Sequence, residues 1–332
     1  MLLLLAIASL LLGILLLVKG ADWLVDGAAD LARHAGVSDL TIGLTVVAFG
    51  TSMPELTVNI FSSATGANDI AIGNIVGSNI ANILLILGIA GTITTISVAH
   101  STVRNEIPFA ILASVVLLLM ANDAFFDGSA ASVIGRVDGL ILIAFFLVFL
   151  WYIAGMRRTD PATERANASR GIATSCLLVF LGLVLLIGGG KMTLYGAVQL
   201  ALSAGLSESL VGLTVVAVGT SLPELATSVV AAMRGKADIA VGNIVGSNIF
   251  NIFWILGISA IIRPLSFSTG MNVDLAVGIA ASILLFFAVH TGYVHRRLQF
   301  WRGGGSYSIE RHDGIFMLLS YAAYVAYLTW RG

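Results

Sequence analysis

The chain has 332 residues, 58% hydrophobic and only 11% charged, with 17 basic and 18 acidic side chains for a net charge of -1. A mean hydropathy of +0.99 is too high for one soluble core to hide the apolar residues, so the chain reads as a membrane protein. No basic patch interleaved with aromatics suggests nucleic acid, and the single cysteine, Cys176, excludes an internal disulfide and a thiolate metal site.

In chain order, the first apolar run covers 2–31. Its start, MLLLLAIASLLLGILLLVKG, lacks the basic n-region and small-residue cleavage site of a signal peptide, and the pattern continues through Trp23 and Leu24, so it is expected to be a retained helix. Asp22, Asp26 and Asp30 follow at four-residue spacing and read as a solvated cytoplasmic face. Runs at 39–65, 70–96, 105–122 and 134–155 complete a set of five. A hydrophilic hinge from Ala154 to Arg170 then precedes five more, at 171–202, 208–233, 239–262, 273–294 and 313–331. Each is near the ~20 residues that cross ~30 Å of hydrocarbon as a helix. The first and sixth are over-long and are expected to tilt, while Lys19 and Lys191 within them are expected to snorkel. Long alternating segments are missing and Gly is frequent, so the expected fold is all-α, polytopic, with ten transmembrane helices.

The basic residues orient this scheme. With the N-terminus outside, cytoplasmic loops carry Arg33, Arg104, Arg157, Arg158, Arg165, Arg170, Arg234, Lys236, Arg296, Arg297, Arg302 and Arg311, against Arg136, Arg263 and Arg331 outside. Twelve against three puts both termini outside and the linker 156–170 in the cytoplasm. Five helices per half means that 171–332 enters from the opposite side to 1–155, an inverted repeat. Secondary transporters built this way hold substrate and coupling ions at the repeat interface.

A duplication supports the division. Residues 43–89 and 212–258 align without a gap at an offset of 169 and share 30 of 47 positions. Each copy carries one acid in an apolar run, Glu55 in AFGTSMPE and Glu224 in AVGTSLPE, and an intramembrane carboxylate is a functional-site hypothesis by default. Pro54 and Pro223 cannot donate to the carbonyls of Gly50 and Gly219, so backbone carbonyls near Ala48, Phe49 and Gly50 are expected to be left for other donors or for cations. Helical spacing aligns Ala48, Thr51 or Ser52, and Glu55 on one stripe. Ser78 and Asn82, repeated as Ser247 and Asn251, lie one turn apart on the following helix. All of these are hard oxygen donors, and two anionic side chains among them suit Ca²⁺ better than Mg²⁺ or a transition metal.

Other polar and small residues have plainer readings. The GxxxG pairs Gly73–Gly77 and Gly242–Gly246 fit close helix packing, and Asn74, Asn243, Asn79 and Asn248 fit helix bridging or capping as well as ligation. His34, His100, His290, His295 and His312 all lie outside the repeats at expected ends or loops, and none reads as a ligand.

The paired GTSxPEL segments, each followed by GNIVGSNI and then Asn82 or Asn251, resemble the two repeats of the cation/calcium exchanger superfamily, most nearly its prokaryotic sodium/calcium exchangers. The resemblance implies ten helices and four cation sites between the second, third, seventh and eighth. It implies Ca²⁺ on Glu55 and Glu224 with the Thr51 and Thr220 carbonyls. One Na⁺ site would use the Ala48 carbonyl, Ser52, Ser78 and Glu224, and its mirror the Ala217 carbonyl, Thr220 or Ser221, Ser247 and Glu55. Asn82 and Asn251 would close the middle, and sliding of the first and sixth helices would alternate access. Some relatives, among them potassium-dependent exchangers, carry Asp where this chain has Asn251, which argues against K⁺ co-transport. Family members that exchange calcium for protons have GNxxE in place of GTSxPE, which favours Na⁺.

The expected function is therefore an electrogenic, K⁺-independent Na⁺/Ca²⁺ antiporter of the plasma (cell inner) membrane. It would be no enzyme and would need no cofactor, and its partners would be the two ions and the bilayer, without an obligate protein. Ca²⁺/H⁺ exchange on the same glutamates is the alternative. A channel fits less well, because the acids form one inverted pair and not a ring. An intramembrane hydrolase lacks paired catalytic aspartates or a Ser/His arrangement.

Overall fold

The computed structural model describes residues 2–126, 128, 131–156, 170–204, 217–298 and 307–331. Most of the expected linker, the segment 205–216 with the start of the second repeat, and most of the loop that follows 298 lie outside them, together with Arg157, Arg158, Arg165 and Arg302.

Helix α1 spans Leu2–Ala35, about 51 Å at ~1.5 Å per residue and longer than the bilayer core is thick. Next come α2 (Asp39–Thr51) and α3 (Met53–Thr65), a pair bent by 47°. The break falls on Ser52, at φ -83° and ψ 10°, because Pro54 in the first turn of α3 has no N–H for the turn before it. Gly66, at φ 81°, closes α3 in the left-handed conformation that a side chain would strain. Helix α4 (Asn68–Ile93) loosens into π-helical turns over Ala81–Leu87, followed by α5 (Thr102–Met120) and α6 (Arg136–Ala154).

The second half runs α7 (Ile172–Ser203), α8 (Ala217–Gly219), α9 (Leu222–Met233), α10 (Ala237–Ile262), α11 (Asn272–Leu298) and α12 (Arg311–Arg331). It repeats the local solutions of the first. Ser221 breaks α8 from α9 at φ -86° and ψ 8° ahead of Pro223, and α10 carries π-helical turns over Asn251–Leu256.

Two two-residue ribbons tie the halves together. Strand β1 (Ile96–Ser97) pairs with β4 (Ser308–Ile309), and β2 (Val133–Ile134) with β3 (Leu265–Ser266). The helices after β2 and β4 start alike, with Asp138 accepting from Gly135 N–H at 2.7 Å and Asp313 from Glu310 N–H at 2.9 Å.

Burial sorts the helices into a centre and a periphery. The apolar windows of α4 and α10 are 72% and 83% buried, against 22% for α1 and 28% for α7, so α4 and α10 form the core that α1 and α7 border. Those two peripheral helices meet each other through glycines at seven-residue spacing. A Cβ on Gly20 would lie 2.8 Å from the Gly182 carbonyl, one on Gly189 2.8 Å from the Gly13 carbonyl, and one on Gly196 2.6 Å from the Ala6 carbonyl. Gly189→Val should therefore force the helices apart and lower stability by ~1–3 kcal/mol, read as a lower melting temperature in detergent. Gly188→Val is the control, since its Cβ meets nothing within 4 Å and no loss is expected.

Among the described residues, seven helices are long and apolar enough to cross a membrane, and eight if the bent α2–α3 pair is one span. The other expected spans are present in part. Helix α9 has 12 residues with its lead-in outside the described segment, and α12 is 21 residues long but diluted by Tyr321, Tyr324, Tyr327 and Trp330. The chain is a multi-pass integral membrane protein.

The face expected to be solvated at the end of α1 is so only in part: Asp22 and Asp26 stay accessible, Asp30 is buried, and all three are ion-paired. Asp30 is 1% exposed and holds Arg33 at 2.7 Å and Arg170 at 3.1 Å, while Asp26 reaches Arg170 at 3.4 Å and Arg234 at 2.5 Å. Asp22 completes the lattice with Arg234 at 2.6 Å. Four-residue spacing gave the right common face, but besides Arg33 of α1 its partners are Arg170, just before α7, and Arg234, the residue that caps α9, both distant in sequence.

Candidate cation-binding site

The breaks before α3 and α9 bring their first turns together, against the middle of α4 and α10. Glu55 and Glu224, each 1% exposed, sit on those turns, and Ser52, Ser78, Asn82, Ser221, Ser247 and Asn251 are all buried around them. No lysine, arginine or histidine joins them among the described residues; Arg234 and Lys236 of the second copy pair with Asp22, Asp26 and Asp39 instead.

Hydrogen bonds cross between the copies. Ser52 donates to Glu224 Oε1 at 2.8 Å and contacts Ser247 Oγ at 3.0 Å. Its counterpart Ser221 donates to Glu55 Oε1 at 3.2 Å, joined by Ser78 at 3.4 Å. The Ser52–Glu224 bond is matched by Ser221–Glu55 with the copies exchanged, as a twofold relation between them predicts. These hydrogen bonds group Ser247 with Ser52 and Glu224, and Ser78 with Ser221 and Glu55.

Behind the acids lies a ring of four amides. Asn82 Nδ2 donates to Asn248 Oδ1 at 2.9 Å and Asn251 Nδ2 to Asn79 Oδ1 at 2.9 Å. Asn79 Nδ2 donates to the Asn248 carbonyl at 3.1 Å and Asn248 Nδ2 to the Asn79 carbonyl at 3.3 Å. With their nitrogens committed, Asn82 and Asn251 keep Oδ1 free. Asn79 and Asn248 thus take the bridging role, which the sequence left open beside ligation.

What remains is a set of orphan acceptors. Glu55 Oε2, Glu224 Oε2, Asn82 Oδ1 and Asn251 Oδ1 are all buried without a hydrogen-bond partner. A buried acceptor left unpaired costs roughly 1–3 kcal/mol and an unpaired carboxylate more, so four in one place are a design for a positive ligand. Oxygen alone, with two carboxyls, matches a hard cation.

Several expectations need adjustment. The Ala48 carbonyl is not left open, because Ser52 N–H donates to it at 3.1 Å and Thr51 Oγ1 at 3.4 Å. Ala217 begins α8, and its side chain lies outside the described residues. Gly242 and Gly246 do serve close packing, since a Cβ on either would come within 3.0 Å or less of the Leu40 or Leu44 carbonyl of α2. At Gly73 and Gly77 no described residue lies within 4 Å, and the segment matching 40–47 lies outside the described residues. His34, His100, His290 and His312 contact groups away from the site.

Sequence reasoning also missed a layer. Asn59 Oδ1 accepts from Asn74 Nδ2 at 2.7 Å, and Ser228 Oγ accepts from Asn243 Nδ2 at 3.0 Å. Asn59 lies four residues past Glu55, and Ser228 four past Glu224, so the helical stripe carried the signal, but the copies differ there and identity between them did not flag it.

A multi-pass membrane protein with two related halves and a buried cluster of unpartnered oxygens has the build of a transporter. The sequence profile of the family described as sodium/calcium exchanger protein matches residues 5–155 and 174–330. The chain is 35% identical over 331 residues to the putative antiporter CaxA of Alkalimonas amylolytica, covering 97% of this chain and 98% of that one. It is 32% identical to the sodium/calcium exchanger MaX1 of Methanosarcina acetivorans, covering 97% of each. A solved structure of the sodium-calcium exchanger NCX_Mj superimposes with a TM-score of 0.79 at 32% identity, covering 98% of this chain and 99% of that one. The chain therefore belongs to the sodium/calcium exchanger family.

Proposed function

We propose that this protein is a secondary antiporter that exchanges Na⁺ for Ca²⁺ by alternating access, moves net charge and needs no K⁺. The observation that carries the reading is the set of four buried, unpartnered oxygens on Glu55, Glu224, Asn82 and Asn251. Two carboxyls match the charge of one Ca²⁺, with the Thr51 and Thr220 carbonyls as further ligands. Without that ion, the hydroxyls of Ser52, Ser78, Ser221 and Ser247, with the Ala48 and Ala217 carbonyls, supply neutral oxygens for Na⁺. A proton would need no such shell. The third carboxylate that would add a charge for K⁺ is Asn251 in this chain.

Ten transmembrane helices arranged as two inverted five-helix repeats, 1–155 and 171–332 around a cytoplasmic linker 156–170, would put both termini outside the plasma membrane. The crossed hydrogen bonds and the strand pairs that exchange partners between halves support this twofold plan.

Ca²⁺ uptake into sealed vesicles tests the reading. Vesicles loaded with Na⁺ should take up Ca²⁺ against a Na⁺-free bath, persist in doing so with a protonophore present, and respond to imposed voltage at ~2.3 kcal/mol per net charge per 100 mV. Uptake that follows a pH gradient and ignores Na⁺ would replace this reading with Ca²⁺/H⁺ exchange.

A further inference from the structure

The two repeats close the same seam with different material, although their helices match there residue by residue. Gly139 of α6 and Gly314 of α12 meet matching backbone, since a Cβ would lie 2.6 Å from the Gly257 carbonyl at the first and 2.7 Å from the Gly88 carbonyl at the second. Ser114 of α5 donates to the Ala110 carbonyl at 3.2 Å, and Ser282 of α11 to the Gly278 carbonyl at 3.0 Å, inside the matching stretches ILAS and IAAS. In that register four phenylalanine rings join α5, α6 and α10. Phe109 stacks on Phe149 at 5.4 Å and meets Phe253 edge-on at 5.7 Å, while Phe145 stacks on Phe253 at 5.3 Å. At the same positions of α11, α12 and α4 stand Val277, Tyr324, Leu84 and Ser320, so three of the four rings are gone. Those four residues line a crevice of about 530 Å³.

The crevice is built for hydrocarbon. Ala280 and Ala281 of α11 add to its apolar wall. Its hydroxyls are engaged elsewhere, with Ser320 Oγ donating to the Phe316 carbonyl of its own helix at 2.8 Å and Tyr324 to Asp274 at 3.0 Å. An apolar hollow of this kind offers water too few partners, and left empty it forfeits the van der Waals contact on which membrane helices rely. Val273, at one end, is 43% exposed, and the α11 wall belongs to Thr269–His290, a stretch long and apolar enough to span a bilayer, so lipid is the medium that reaches it. Near the same end Tyr327 lies 6.4 Å from the exposed Trp330 ring and 5.5 Å beneath the Arg331 guanidinium, a grouping typical of headgroup level.

We propose that this crevice is a binding site for one acyl chain of a phospholipid, drawn from the leaflet in which α12 ends. The chain runs along Val277, Ala280, Ala281 and Ser320, and its methylenes take the place of the three missing rings against Leu84. Tyr327 and Trp330 flank the glycerol and headgroup. Arg331 is already paired with Asp274 at 3.0 Å, so the site holds the chain without selecting headgroup charge. Side chains thus complete the packing of α5 and α6 on α10, and a lipid completes that of α11 and α12 on α4.

Photolabelling of the full chain tests it, in phosphatidylcholine vesicles that contain a trace of phosphatidylcholine with a diazirine at mid-chain. Adducts mapped by mass spectrometry should concentrate on Val277 and Ala281 over the matching Phe109 and Ala113, and a phosphatidylglycerol probe should give the same pattern. Val277→Phe combined with Ser320→Phe restores two of the first repeat's rings. It should remove the adducts on α11 while sparing those on Leu147 and Val148, which are exposed on α6. Ala280→Leu, which places the residue of the matching Leu112 at an exposed position, should lower the α11 adducts too and carries the test if the double variant does not fold. Adducts spread evenly over the matching positions, or unchanged by the filling variants, would mean contact with bulk lipid only and would overturn the site. An unlabelled α11 in a protein that is dimeric until the crevice is filled would overturn it too, and would give the face to a second copy of this chain.

Discussion

Glu55→Gln and Glu224→Gln should each abolish Ca²⁺ exchange while leaving a protein as stable as the parent or more so. The two effects have one origin. The carboxyls lie buried with no basic partner among the described residues, so in the ion-free protein each charge is a burden that the amide removes. A bound divalent ion reverses the sign. At about 4 Å and an effective dielectric near 20, a unit charge pair is worth about 4 kcal/mol and a divalent ion twice that, so losing one carboxylate should weaken Ca²⁺ binding by well over ~100-fold even after desolvation is counted. Flux in vesicles and melting in detergent should therefore move in opposite directions, or flux alone should move. A variant that melts early and transports nothing would mean that the acids hold the fold together.

Asn248→Leu should produce the other large effect, on both stability and Ca²⁺ affinity. Asn248 accepts from Asn82 Nδ2 and donates to the Asn79 carbonyl, so the substitution leaves a donor and an acceptor unpaired in the core. Cross-helix hydrogen bonds in bilayers average only about 0.6 kcal/mol, but each buried group left unpaired adds ~1–3 kcal/mol, so a loss of roughly 2–4 kcal/mol is expected. Asn82, freed from its anchor, can turn its amide and present nitrogen to the site, which should weaken Ca²⁺ binding although no ligand has been deleted. Asn79→Leu should cost a similar amount, because it orphans Asn251 Nδ2 and removes the donor to the Asn248 carbonyl. Unchanged Ca²⁺ affinity in both variants would place the amide ring outside the site's support.

Much of the site was legible because the chain states it twice. Glu55, Ser52, Ser78 and Asn82 recur 169 residues later in the same order, and a membrane span gives a carboxylate little to do besides bind a cation. The proline breaks were legible too, since the missing N–H is a property of one residue. What depends on packing between the copies was not. Asn79 and Asn248 read as bridges or ligands equally from sequence, and their cross-bonds depend on α4 and α10 meeting there. Asn59 and Ser228 escaped notice because the copies differ there. The ion pairs of the α1 acids were not legible because Arg234 reaches Asp22 and Asp26 from more than 200 residues away, a distance no local spacing encodes. The span count suffers from a related blindness, since the tyrosines of α12 dilute a helix whose length suits a crossing.

The central claim is that one set of buried oxygens on Glu55, Glu224, Asn82 and Asn251 holds Ca²⁺ and gives it up to Na⁺. Titration of Ca²⁺ into the purified protein by calorimetry, at a series of Na⁺ concentrations with K⁺ as the ionic-strength control, tests it most directly. The account predicts that Ca²⁺ binds in the absence of Na⁺, that its apparent affinity falls more steeply than the first power of Na⁺ concentration, and that Glu224→Gln removes the Ca²⁺ signal. Ca²⁺ binding that is indifferent to Na⁺, or that survives in Glu224→Gln, would contradict it.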